Sequence, residues 1–308
     1  MNNKTTAPIV LFVYNRPWHT KQTIEALQKN ELAKESELFI YSDAPKNDQA
    51  REAVDQVRIY LKTIEGFKSI TIIERETNWG LAKSIIDGVS TVVNQYGKVI
   101  VLEDDLVTSP YFLKFMNDVL EFYKDEKKVW HVSGWNYPIE DDNGQDVFLW
   151  RVMNCWGWAT WADRWQYYEK DVNKLIKEFS KEDIYRFNVD GTENFWAQVQ
   201  ANQKGTIDTW AIFWYATIFK HNGLCLNPIR SYVHNIGFDG SGVHCGVGDD
   251  GTFGVLNRSD HVQFTKEIIE NAYIVEKIKS YFKKRKRPIY IRAFKKLFRK
   301  LLEKKVYK

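Results

Sequence analysis

Val99-Ile100-Val101-Leu102-Glu103-Asp104-Asp105 joins four consecutive aliphatic residues directly to three carboxylates. An uninterrupted apolar run of this kind suits a strand buried on both faces of a parallel sheet. Three acids at its exit repel one another and raise one another's pKa unless a cation neutralises them. A hard cation, Mn²⁺ or Mg²⁺, does so with one or two carboxylates, its shell completed by substrate phosphates. The plain alternative is a solvated acidic turn, and the position after a buried strand favours the metal.

The same grammar extends towards the N-terminus. Ile9–Tyr14, Leu38–Tyr41 and Ile70–Ile73 read as three further strands. His19–Gln28, Asp48–Thr63, Leu81–Val93 and Pro110–Tyr123 read as the helices between and after them. A βαβαβαβα order predicts an α/β fold with a parallel sheet and right-handed crossovers. Ligands of such sheets lie outside the carboxyl ends of the strands. Three of the four strand ends carry polar clusters: Asn15-Arg16, Asp43, and the acidic triplet. A phosphate-cradling GxxxxGK[ST] loop is absent from the sequence.

Beyond Val129 the alternation breaks down, and ten of the twelve tryptophans fall between Trp130 and Trp214. This predicts an antiparallel and helical region that completes the sheet and supplies a second pocket wall. The expected organisation is 1–128 as the α/β half that carries the acidic strand end, 129–262 as the half with the second pocket wall, and 263–308 as a helical basic tail. With 308 residues, 44% hydrophobic and 27% charged, the chain can bury a sizeable core without covalent staples. Cys155, Cys225 and Cys245 are too sparse for a disulfide framework or a zinc site, which fits a reducing cytosol. No signal-peptide pattern and no apolar run long enough to span a bilayer occur, so a cytoplasmic location is expected.

The net charge of +4 hides an asymmetry. Residues 277–308 hold 15 Lys/Arg against one acid, and residues 1–276 hold 29 against 39. Ile291, Phe294, Leu297, Phe298, Leu301 and Leu302 recur at helical spacing among those cations. This is the pattern of an amphipathic basic helix on an anionic membrane surface, here the inner face. Docking on the acidic body or simple solvation are the alternatives. No recognition motif accompanies the charge, so nucleic acid is not expected.

Taken together, Val99–Leu106, Ser109-Pro110-Tyr111-Phe112, Val129–Asn136, Gly157-Trp158 with Trp161, and Asn227–Ser231 resemble N-acetylglucosaminyltransferase I and its O-mannose-linked relatives. Asn15-Arg16-Pro17 and Asn78-Trp79-Gly80 resemble family 2 bacterial glycosyltransferases. The resemblance covers roughly residues 8–250. It implies a GT-A fold, a nucleotide-diphosphate sugar donor (a UDP-sugar, with UDP-GlcNAc as the first guess), a divalent metal and inversion at the anomeric carbon. It assigns Asp105 to the metal, and Glu103 and Asp104 to the ribose and donor sugar. Asn15, Arg16 and Asp43 fall at the strand ends that grip the nucleotide. Lys83 and Ser84 fall near a further base or phosphate contact. For Asp43 an Asx-type turn is the alternative, and for Lys83 an exposed helix lysine.

An inverting transfer needs a base for the acceptor hydroxyl. The resemblance aligns Asp208 with it, although Ile207 stands where relatives carry a first acid; Glu193 is the fallback. Nearby tryptophans are expected to desolvate Asp208; its alternative is a helix N-cap. Trp156, Trp158 and Trp161 can wall the sugar cleft or be core residues. His234 and His244 flank the Gly-rich stretch 237–242, read as a loop that closes on the donor, and His234 is a further metal-ligand candidate. The expected function is sugar transfer to a glycan or lipid-linked glycan hydroxyl in bacterial surface-polysaccharide assembly. A sugar nucleotidyltransferase or a non-catalytic carbohydrate-binding protein are the alternatives.

Overall fold

The computed structural model describes residues 5–139, 143–242 and 255–285. His244, Cys245 and the basic segment 291–302 lie outside them. The first half alternates as expected: β1 (Ile9–Val13), α1 (Pro17–Gln28), β2 (Glu37–Ser42), α2 (Asp48–Leu61), β3 (Ser69–Glu74), α3 (Leu81–Tyr96) and β4 (Lys98–Glu103). A short strand that the sequence reading missed, β5 (Leu106–Thr108), precedes α4 (Phe112–Phe122).

The second half contributes β6 (Val129–Ser133), β7 (Val147–Trp150) and β8 (Trp158–Trp161), then the short helices α5 (Ala162–Trp165), α6 (Val172–Glu178) and α7 (Lys181–Phe187). It ends with α8 (Trp196–Gln203), α9 (Ala211–Lys220), β9 (Leu224–Pro228), β10 (Val233–Asn235) and α10 (Ala272–Arg285).

One eight-stranded sheet runs through both halves in the order β3-β2-β1-β4-β8-β6-β9-β7. The first four strands are mutually parallel; β8 is antiparallel to both β4 and β6. The α/β class is as expected. Strand order reverses between β1 and β4, so the crevice available to a ligand opens at the carboxyl ends of these two neighbours. β1 is buried along its whole length, as its unbroken apolar sequence requires. α3 packs tightly on it at Gly88, where a Cβ would come within 2.9 Å of the Phe12 and Tyr41 rings.

The tryptophan-rich region is chiefly core. Trp130, Trp150, Trp158, Trp165, Trp196, Trp210 and Trp214 belong to one buried cluster on a single face of the sheet. His131 is buried among them and accepts from Trp214 Nε1 at 3.2 Å through Nδ1. Burial pushes its pKa down to about 3, so the ring is neutral.

The described part of the tail docks on the body. Ile274, Val275, Ile278 and Phe282 of α10 are buried, and Phe282 packs edge-on against Tyr137. Lys279 Nζ lies 3.1 Å from Asp190. No helix among the described residues is long and apolar enough to cross a membrane.

Candidate active site

The switch point brings together residues nearly ninety positions apart. Pro17 opens α1 at its first position, where its missing N–H costs nothing. Arg16 precedes it as N-cap without using its side chain to cap, which leaves the guanidinium to reach across to the end of β4. There Arg16 Nη2 donates to Asp105 Oδ2 at 2.9 Å and also to Asp104 Oδ1. Asp104 is further fixed through its backbone carbonyl, which accepts from Thr23 Oγ1 of α1 at 2.9 Å.

Three carboxylates thus face one guanidinium in a nearly dry site. Desolvation, with Asp105 and Asp104 alongside, pushes Glu103 up to about 8 against the opposing pull of Arg16. Desolvation also raises Asp104, partly offset by Arg16; for Arg16 itself burial pulls downward, and Asp104 and Asp105 together outweigh it and raise the group. Arg16 Nη1 and Asp104 Oδ2 are buried with no hydrogen-bond partner. Buried polar atoms are rarely left so.

A strap from the second half crosses this cluster. β10 pairs antiparallel with β5, setting Asn235 opposite Leu106. Ile236 N–H then donates to the Asp105 carbonyl at 2.8 Å. Gly237 N–H donates to Asn235 Oδ1 at 2.7 Å. A Cβ at Gly237 would fall 2.3 Å from Asp105 Oδ2, so only glycine fits above the carboxylate. Phe238 packs edge-on against Trp156, and Asp239 Oδ2 lies 3.1 Å from His19 Nε2. The sequence reading marked this stretch as Gly-rich and missed its contact with Asp105. The signal available was the short apolar run at Tyr232-Val233 after the Asn227–Ser231 motif.

The other expected positions separate. Asp43 is fully engaged: Oδ1 accepts from the N–H groups of Ala44 and Trp79, and Oδ2 from Gly80 N–H and Asn78 Nδ2. No Asx turn forms, since Pro45 two residues on has no N–H to give; the carboxylate instead braces the Asn78–Gly80 loop at the start of α3. A base contact would have to displace one of these donors. Asn15 is half-buried beyond β1. Lys83 is exposed, its Nζ 3.9 Å from the Trp79 ring centroid, as expected of a helix lysine. Ser84 is buried with its Oγ unpartnered.

Two tryptophans expected at the sugar cleft are core instead. Trp158 is 1% exposed and stacks on Trp210, and Trp161 donates Nε1–H to the Leu120 carbonyl at 3.0 Å. Both lie on β8 inside the sheet, where either face is covered. Trp156, just before that strand, is half-buried and touches the strap.

Asp208 is not desolvated. Its side chain is 73% exposed and paired with Lys170. It does not cap a helix either, since Trp210 is the N-cap of α9. It faces a groove of about 600 Å³ along α3, lined also by Trp79, Lys83, Asp87, Ser90 and Asn94. The acidic triplet does not line that groove. Glu193 is half-buried and close enough to Tyr137 to raise its pKa, after the larger effect of burial. Among the described residues no three His, Cys, Asp or Glu side chains converge as a metal cage, so His234, opposite Val107 in β10, completes none.

The family model of the GNT-I family matches residues 1–169, which takes in β1 through β8 and the whole acidic cluster. The chain belongs to the GNT-I family. It is therefore a glycosyltransferase, and its sheet is the GT-A arrangement. No curated protein matches this GNT-I family member.

Solved structures similar to it include the mannosyltransferase PcManGT from Pyrobaculum calidifontis in complex with GDP-Man and Mn²⁺, at 12% identity over 71% of each chain with a TM-score of 0.39. An active-site mutant of LgtC matches at 11% identity and TM-score 0.35, covering 68% of this chain and 70% of that one. TarS from S. aureus matches at 19% identity and TM-score 0.28 over 45% of this chain, which spans 22% of TarS.

Proposed function

We propose that the chain transfers a sugar from a nucleotide-diphosphate donor, taken to be a UDP-sugar, to a glycan hydroxyl with inversion at the anomeric carbon. The observation that carries the reading is the buried cluster of Glu103, Asp104 and Asp105 with one guanidinium at the β1/β4 switch point. Its residues fit a divalent ion: carboxylate charge is in excess, and Asp104 Oδ2 lacks a partner. Asp105 would hold the ion, with few other protein ligands, so donor phosphates and water complete its shell. Mn²⁺ or Mg²⁺ held there would neutralise charge on the departing diphosphate. Glu103 and Asp104 receive donor hydroxyls. The strap over Asp105 and the half-buried Trp156 limit water at the reacting sugar.

For the acceptor proton we keep Asp208 as the base. Its segment packs through Trp210 onto Trp158, which is paired with Val101 just before the triplet. Its exposure leaves it open to an acceptor hydroxyl, and Lys170 must release it. Asp208→Asn should lower transfer by about 10²-fold or more while donor affinity stays near that of the parent. Transfer at the parental rate in that variant would hand the role to another carboxylate, Glu193 first.

The product is read as part of a bacterial surface polysaccharide, with the enzyme brought to a lipid-linked acceptor by its basic end. Because α10 is docked through Phe282, the informative truncation starts after Arg285. Removing residues 286–308 should abolish co-sedimentation with anionic vesicles, and undiminished binding would reject membrane attachment.

The experiment that tests the core reading is a panel of nucleotide sugars, assayed for transfer and slow hydrolysis with Mn²⁺, with Mg²⁺ and with chelator. Absence of metal-dependent turnover and of donor binding across the panel would overturn it.

A further inference from the structure

Arg16 is a buried cation held by the two carboxylates that the proposed reaction needs for another partner. Its side chain is 14% exposed, and those of Asp104 and Asp105 are 6% and 8%. Solvent and salt screen such a group weakly. Its Nη2 bridges both acids, whereas its Nη1, like Asp104 Oδ2, is buried and unsatisfied. One arm of the guanidinium is thus committed to the acids, and the other has no acceptor. A group whose task was to grip a nucleotide base would not need to span both carboxylates.

We propose that Arg16 is a positioning residue that serves as the resident counter-cation of the metal-free site. A divalent ion arriving on Asp105 competes for Oδ2 and repels the guanidinium at short range. Arg16 then releases Asp105 and offers its donors to an anionic oxygen of the nucleotide sugar. A guanidinium suits that second role, since it remains charged and presents planar, paired donors to phosphate oxygens. The neighbouring strap residue is Gly237, and a Cβ there would come within 3.0 Å of Arg16 Nη1. The glycine keeps that side of the guanidinium clear. Binding of the ion and of the anion is thereby coupled through one side chain: the ion must displace Arg16, and the displaced Arg16 favours the anion.

This inference rests on the metal reading above, and the test separates the two. Mn²⁺ alone is titrated calorimetrically into the full chain and into Arg16→Met, Arg16→Lys and Asp105→Asn, and UDP is then titrated in the presence of Mn²⁺. Removing the competing cation should tighten bare Mn²⁺ binding by about tenfold or more in Arg16→Met, a change that loss of a merely structural contact would not produce. The same variant should bind UDP with Mn²⁺ more weakly than the parent. Arg16→Lys, which keeps the charge on a shorter, more strongly hydrated ammonium without the planar paired donors, should fall between, and it carries the test if Arg16→Met does not fold. Parental or weaker Mn²⁺ affinity in the folded Arg16 variants, with loss of binding in Asp105→Asn, overturns the inference and leaves the metal reading intact. Absence of Mn²⁺ binding in every protein, with UDP present, overturns both.

Discussion

Asp105→Asn is expected to remove metal-dependent sugar transfer, a loss of about 10³-fold or more, with the fold retained. The size follows from what a divalent ion supplies to a departing diphosphate, several kcal/mol of charge stabilisation that a neutral amide cannot hold in place. Retention of the fold follows from the contacts. The Asp105 backbone carbonyl, which accepts the Ile236 N–H at 2.8 Å, is untouched. The side-chain shape is kept, and the substitution relieves one of three like charges while leaving Asp104 to pair with Arg16. Initial rates across an Mn²⁺ titration, read beside thermal unfolding of both proteins, provide the check. A folded Asp105→Asn enzyme with parental activity would remove the triplet from the metal site.

The second large effect is expected from Gly237→Ala, which deletes no functional group. The added methyl would sit 2.3 Å from Asp105 Oδ2, 3.0 Å from Arg16 Nη1 and 3.1 Å from Asn235 Oδ1. Contact at 2.3 Å is far inside van der Waals separation, so either the carboxylate turns or the strap lifts. A turned carboxylate breaks the Arg16–Asp105 pair. A lifted strap loses the packing of Phe238 on Trp156 and the approach of Asp239 to His19. Both displace the groups that address the donor, and misplacement of about 1 Å costs roughly 10²-fold in rate. The core lies elsewhere, so the thermal midpoint should change little. Activity and nucleotide-sugar affinity measured on the purified variant decide it; parental values for both would show that the strap does not touch the working site.

The legible and illegible parts of this chain divide along a physical line. Ile9–Val13 and Lys98–Glu103 announce themselves because a doubly covered strand must be apolar through its middle, whereas Ser69–Glu74, the exposed edge strand, is legible from its three isoleucines and one threonine. The helices between them follow from the alternation with these strands. Leu106–Thr108 and Val233–Asn235 did not, since each is three residues long and has a partner more than a hundred positions away. Trp158 and Trp161 show the same limit. An aromatic face serves a sugar or a core equally well, and what decides is what packs on the ring, Trp210 on Trp158 and Arg164 on Trp161, whose Nε1–H also donates to the Leu120 carbonyl. Asp208 was placed by resemblance and expected to be dry, yet the loop before α9 leaves it beside Lys170 in an open groove.

By itself the sequence determined the order of the parallel half, the exit of a buried strand into Glu103-Asp104-Asp105, and the kind of ion such a triplet suits. These are local properties: burial pattern, charge spacing and chain reversal are written in adjacent residues. The tertiary structure alone decided that Arg16 pairs with two of the three acids, that Asp43 is spent on the Asn78–Gly80 loop, and that Gly237 lies against Asp105. Each of these joins elements that the chain separates widely, and each turns on distances of a few ångströms at the β1/β4 switch point, which no periodicity in the sequence encodes.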